Sequence, residues 1–459
     1  MPDVSPERCD LIIRRGHVVT MDPAGRRYAS ADIAIQNGII LAVGPDLPYQ
    51  ASTEIDAAGN AVLPGLIDCH MHQTLLRGVC EDLPLMRWLE EICFPKDRAF
   101  EARHQHAAAL MNQLELMRGG ITTHIDIFRF PAEAAPITER SGLRTIFTPQ
   151  IIDEPAGAGE TLASNLAFVE EWHDRVPDRI FTWFGPHAPY SCRPETFVEI
   201  QRLAEKYDVG IHTHVAETLD EVNSFRSRYG KTSVEWLADL GLLSRRLLVA
   251  HGVHLTDADI RLLADHDVAV VYNPSSNMKL ASGVARIPDL IAAGVRVGLG
   301  TDSNLSNNNL DMFEEMRLGA MLQKLARSDA AALPCEQALR LATIEAARCL
   351  GLADRLGSLE VGKWADVIVV NLHTPHMWPV LPEPGSNLIE QLVYSASAAD
   401  VLTTVVDGKV VMRNRVVLTL EEAEVEQTVL QAALHLMDKS GLTQHFEASQ
   451  KGGAHRSTG

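Results

Sequence analysis

The sequence is short of positive charge. Lysine and arginine number 41 against 60 aspartates and glutamates, a net charge of −19 at pH 7. Such a chain is a poor partner for nucleic acid or an anionic membrane. No apolar run approaches the roughly 20 residues needed to span a bilayer. No apolar leader is visible at the start, and a cytoplasmic setting is expected. Seven cysteines, at 9, 69, 80, 93, 192, 335 and 349, include no Cys-x-x-Cys and no paired framework. They read as reduced thiols. What is left is an ordinary globular composition, 46% hydrophobic and 22% charged. With 459 residues there is room for one large domain and a smaller one.

The two ends of the chain read as β and its middle as alternating β and α. Residues 10–64 hold short β-rich runs, with Asn37-Gly38 as a hairpin turn. From residue 62 eight strand-like runs follow: Val62–His72, Ile121–Phe128, Arg144–Ile152, Ile180–Tyr190, Val209–Glu217, Leu247–His254, Val268–Asn277 and Arg296–Asn304. Helical patterns such as Glu101–Arg118, Pro194–Tyr207 and Ala258–His266 lie between them. Eight such repeats predict a (β/α)₈ TIM-like barrel over 62–357. Residues 358–420 return to β, with Asp407-Gly408 as a second hairpin turn. Together with 1–61 they predict a small composite β-sandwich built from both chain ends. An amphipathic helix is expected over 421–446, and 447–459 reads as a disordered tail.

The chemistry gathers where those strands end. His70 and His72 share one face of the first strand, since alternate strand residues point the same way. His214 lies in the last part of strand five, His251 in that of strand six and Asp302 in that of strand eight. Three histidines and an aspartate make an N/O set suited to one divalent metal, with Zn²⁺ first and Fe²⁺ as the alternative. An ion held there would lower the pKa of its water and make a hydroxide nucleophile.

These segments resemble the amidohydrolase superfamily, in its nucleobase-deaminase-like branch. Pro64-Gly65-Leu66-Ile67-Asp68-Cys69-His70-Met71-His72 is similar to the superfamily's first-strand motif. His214-Val215-Ala216-Glu217-Thr218, Ala250-His251, Asn273-Pro274-Ser275-Ser276-Asn277, Gly300-Thr301-Asp302 and Gly357–Asp366 resemble its later ones. The resemblance implies His70, His72, His214 and Asp302 as metal ligands and Glu217 as proton shuttle. It implies that His251 polarises the nucleophile or intermediate and that Asp302 also takes a proton. Phe184–Tyr190 has no lysine to bridge two metals, which favours one.

Further segments are similar to methylthioadenosine/S-adenosylhomocysteine deaminases. They imply substrate contacts from His187 and from Asp97, which stands where that group has glutamate. Trp88, with Met86, is a candidate for a pocket lid. The group's arginine is missing from Thr148-Pro149-Gln150, its histidine is Tyr272, and its Gly-Ala-Ala is Ser303-Asn304-Leu305. Ser303 and Asn304, just after the metal aspartate, are candidates for setting the leaving group. The expected partner is a small heterocycle, a purine, pterin or s-triazine losing ammonia. The alternatives are loss of chloride or alkylamine from a triazine, amide or urea cleavage, and a non-catalytic scaffold. A homo-oligomer, dimer or tetramer, is expected by analogy.

Other histidines carry plainer expectations. His104 and His106 would point about 200° apart on a helix and so not share a metal. His212 is expected behind the ligands, and His124 and Asp126 in packing or bracing roles. Asp68 should brace its strand, Cys69 pack in the core, His254 belong to a loop, and His373 and His376 serve the returning sheet.

Overall fold

The computed structural model describes residues 7–79, 81–83, 85–154, 156–173, 175–383 and 385–444. Cys80, the tail from 447 and the side chain of Met86 lie outside the described residues. The central strands are parallel and follow one another in space. Leu66–His72 pairs with Ile121–Asp126, that with Arg144–Phe147, and that with Ile180–Thr182. Ile211–Val215, Leu247–His251, Ala269–Tyr272 and Arg296–Leu299 form a second parallel run. Two links join the runs. Phe184 bridges to Ile211, and Asp302–Ser303 pairs with Met71 and His72 of the first strand. The order is cyclic, of the TIM-barrel type, and nearly every strand residue is buried. Both faces are covered, which is why the runs read as continuously apolar.

Several strands stop sooner than the sequence suggests. Strand five ends at Val215, six at His251 and eight at Leu299. Ala216, His251 and Asp302 each take positive φ (52°, 72° and 63°), which breaks the extended backbone. Non-glycine residues rarely adopt this conformation, and it concentrates where surrounding structure enforces it.

Strands from the two chain ends form one hydrogen-bonded sheet of nine among the described residues. Its centre is the antiparallel pair Ala61–Pro64 with Val367–Val370. This pairing sets the returning chain directly behind the first barrel strand. Both expected hairpins are present. Asn37 and Gly38 both have positive φ, as do Asp407 and Gly408. That backbone matches the two-residue turn which keeps the twist of its flanking strands. Arg144, fully buried in the third strand, ties the barrel to this sheet. Its guanidinium donates to Asp366 at 3.0 Å and lies 4.1 Å from the centre of the Trp364 ring.

One further layer covers the site. Leu85–Trp88, the wide turn Leu89–Cys93 and Phe94–Ala99 run on from one another. Trp88, Leu89, Ile92 and Phe100 pack in one apolar cluster with Leu436 of the C-terminal helix Glu422–Ser440. That helix thereby buttresses the cover over the cavity.

Candidate active site

At the C-terminal ends of strands one, five and eight, four donors converge. His72 Nε2 lies 3.3 Å from His214 Nε2 and 3.3 Å from Asp302 Oδ1. His70 Nε2 lies 3.4 Å from Asp302 Oδ1. Three of the pairwise spacings match those around a tetrahedral ion. Ligands held at about 2.0–2.1 Å around a tetrahedral ion sit roughly 3.3–3.4 Å apart.

The protons around the cluster agree. His212 Nδ1 donates to the Leu248 carbonyl at 3.0 Å, so its Nε2 accepts from His70 Nδ1 at 2.8 Å. That leaves a lone pair on His70 Nε2, a buried atom with no hydrogen-bond partner among the described residues. His214 Nδ1 donates to the His187 carbonyl at 2.6 Å, which leaves its Nε2 lone pair facing His72. Burial pushes the pKa of His70 and His214 down and keeps both neutral. The His70 and His214 lone pairs therefore face into the cluster beside the Asp302 carboxylate. A cation is the partner that satisfies them all, and the backing hydrogen bonds are of the kind that orient metal-bound imidazoles.

The other expected groups border the same cavity. Glu217 is buried, with Oε2 3.7 Å from His251 Nε2 and Oε1 accepting from Ser282 Oγ at 3.4 Å. Burial, then the Asp302 charge, pushes its pKa well up. Asn277 Nδ2 donates to His251 Nδ1 at 2.9 Å, so neutral His251 presents its proton on Nε2. Burial lowers His251 to about 3. Ser191 Oγ donates to the Ala188 carbonyl and accepts from His187 Nδ1 at 2.8 Å, so His187 Nε2 is an acceptor. Trp88, Asp97 and Ser303 line the cavity. The Trp88 indole N–H is buried without a hydrogen-bond partner among the described residues.

Asn304 does not fit its expected place. It is fully buried but is not among the cavity-lining residues, and its Nδ2 donates to the Thr74 carbonyl at 3.2 Å. Its amide ties two strand-end loops together and is not presented to a leaving group.

The plainer expectations fare well. Asp68 accepts from the backbone of His70 and Thr301, both at 3.1 Å, and so joins strand one to strand eight. Burial raises its pKa to about 7. Asp126 accepts from the Gln73 backbone and side chain, each at 2.9 Å, and fixes the loop after His72. His254 donates to the Ser282 carbonyl at 2.7 Å in its loop.

Two residues escaped the sequence reading. Lys96 is buried in the cavity wall, 2.9 Å from Asp97 Oδ1 and 5.2 Å from the centre of the Phe128 ring. Nothing in its sequence surroundings singles it out. Glu221 accepts from the backbone N–H of Ala216 at 3.0 Å and of Glu217 at 2.8 Å. Its position three after Thr218 was a usable signal, because that spacing marks a helix start.

Comparison with known proteins places this geometry. Residues 61–411 match the sequence model of the amidohydrolase family. The 5-methylthioadenosine/S-adenosylhomocysteine deaminase of Desulforudis audaxviator is 41% identical over 434 residues, 93% of this chain and 99% of that protein. The solved structure of an adenosine deaminase from Xanthomonas campestris, with bound zinc, has a TM-score of 0.90 at 34% identity and covers 94% of this chain and 100% of its own. Atrazine chlorohydrolase from Arthrobacter aurescens, complexed with zinc, has a TM-score of 0.83 at 26% identity, covering 92% and 99%.

Proposed function

The chain belongs to the amidohydrolase family, and from that premise we propose that it hydrolytically deaminates an amino-substituted N-heteroaromatic ring of the adenosine type. The observation that carries this reading is the convergence of His70, His72 and His214 with Asp302, beside buried Glu217. These four residues would hold one divalent ion, zinc first and iron as the alternative. Once bound, such an ion lowers the pKa of water toward neutrality and acts as a Lewis acid.

The chain's own groups supply the rest. Asp302 accepts a proton from the attacking water. Glu217, whose pKa burial raises, gives its proton to a ring nitrogen, takes the proton of the newly attached hydroxyl and passes it to the departing amine; the proton held by Asp302 then restores Glu217. The His251 Nε2 proton steadies the oxygen that joins the carbon under attack. His187 Nε2 accepts from a substrate N–H or O–H, and Asp97 accepts from substrate hydroxyls. Water and an aryl amine enter; an oxo heterocycle and ammonia leave. The relatives' names support an adenosine-like substrate.

The fold supports a division of labour: a barrel over 62–357 carries the chemistry, and a composite β-sandwich from 1–61 and 358–420 closes its base. Exposed Leu430 and Leu434, one turn apart on the C-terminal helix, support a homo-oligomer. Buried Cys9, Cys69, Cys192 and Cys349, none in a disulfide, support a cytoplasmic setting, and no described helix is long and apolar enough to cross a membrane.

A substrate panel tests the reading. Ammonia release is expected from adenosine, 5′-methylthioadenosine or S-adenosylhomocysteine above guanine, pterins and aminotriazines. Release of chloride from a chlorotriazine, with no ammonia from any amino heterocycle, overturns it. That second reading has one observation in its favour: Ser303 places a hydroxyl-bearing side chain in the cavity wall directly after Asp302.

A further inference from the structure

Alternate residues of an unbroken strand face the same side. His212 and His214 both face the ligand cluster. By that count residue 216 would come next and Glu217 would face away, toward the helices. Glu217 instead lines the cavity. The alternation breaks at Ala216, whose φ is 52°. An L-residue with a side chain is rarely found there, so the turn needs an outside hold.

Glu221 supplies one. It is buried at the third position of the helix Leu219–Tyr229. A Thr-x-x-Glu pair at a helix start ordinarily turns the carboxylate back to the threonine N–H. Here Thr218 Oγ1 accepts from the Glu221 N–H at 3.3 Å, but the carboxylate reaches further. Oε1 takes the Ala216 N–H and Oε2 the Glu217 N–H, at 3.0 and 2.8 Å. Both oxygens are used, each on the backbone of the turn itself.

We propose that Glu221 is a positioning residue that clamps the Ala216 turn and so aims the Glu217 carboxyl into the cavity. The inference rests on Glu217 being the proton carrier. An amide in place of the carboxylate keeps one acceptor and sets an NH₂ against a backbone N–H. The turn then loosens, and a displacement of about 1 Å at a proton-transfer group costs on the order of 100-fold in rate.

The test compares E221Q, the double variant E221Q/A216G, and E217Q, each as holoenzyme with its metal counted and the best substrate of the panel. For E221Q, kcat should fall about 100-fold while KM stays within about threefold and the metal is retained. Adding A216G should restore about tenfold or more, because glycine accepts this backbone without a clamp. A purely structural role for Glu221 gives no such rescue. E221Q/E217Q should be no slower than E217Q alone. If E221Q does not accumulate as folded protein, E221D, which shortens the reach, is compared with E221D/A216G in the same way. The proposal is overturned by E221Q with kcat within about threefold of wild type, by loss of metal together with activity, or by A216G bringing no recovery. Wild-type turnover in E217Q would instead remove the proton role of Glu217, whatever E221Q does.

Discussion

Among the described residues, imidazole and carboxylate donors come within 4.8 Å of one another in two separate regions: at the ends of strands one, five, six and eight, and where Ala102–Gly119 meets the C-terminal helix. The first group includes His70, His72 and Asp302; the second is Glu101, His104 and His435. Spacing does not tell them apart, but the protons do. In the first, the His212 ring behind His70 and the His187 carbonyl behind His214 draw the Nδ1 protons outward and leave their Nε2 lone pairs turned inward. In the second, His104 Nδ1 is taken by the Glu101 N–H at 2.9 Å, and its other nitrogen bonds His435 at 2.8 Å. Arg103 occupies the far nitrogen of His435 at 2.7 Å, and Lys439 and Arg103 already pair with Glu101. Two cations and spent lone pairs leave no place for a third positive charge. The two regions differ in what lies behind their rings.

The contrast can be broken most severely at a ligand. His214→Ala should abolish both metal retention and turnover, read by elemental analysis and ammonia release. Next, Glu217→Gln should leave the metal in place and lower kcat by about 10²–10⁴-fold, the range for a general acid–base group. Third, His212→Ala removes the acceptor behind His70 and should weaken metal affinity about 10–100-fold, measured by chelator competition. The smallest effect belongs to the second cluster. His104→Ala should leave metal content and kcat alone and cost about 1 kcal/mol of stability by denaturant unfolding, as for a lost helix cap.

Much of the first cluster was legible because strand alternation and metal chemistry are both local rules. His70 and His72 announce themselves two residues apart, and the eight apolar runs locate the strands that bring His214 and Asp302 to them. The places where strands end were not legible. Expected strands ran on to Glu217, His254 and Asn304, because nothing in an apolar period reveals a non-glycine residue at positive φ. The same blindness hid Glu221, whose partners are backbone groups and not a pattern of side chains. Asn304 was misjudged for a related reason: adjacency to Asp302 in sequence says nothing of direction once Asp302 turns the chain. The contact between His104 and His435 spans 331 positions, and only the docking of the last helix creates it.

The most direct measurement is the count of zinc and iron per chain in protein purified without chelator, for wild type, His104→Ala and His214→Ala side by side. One ion per chain in wild type and in His104→Ala, with almost none in His214→Ala, is the predicted result. Equal metal in all three, or metal lost on changing His104 and kept on changing His214, would contradict it.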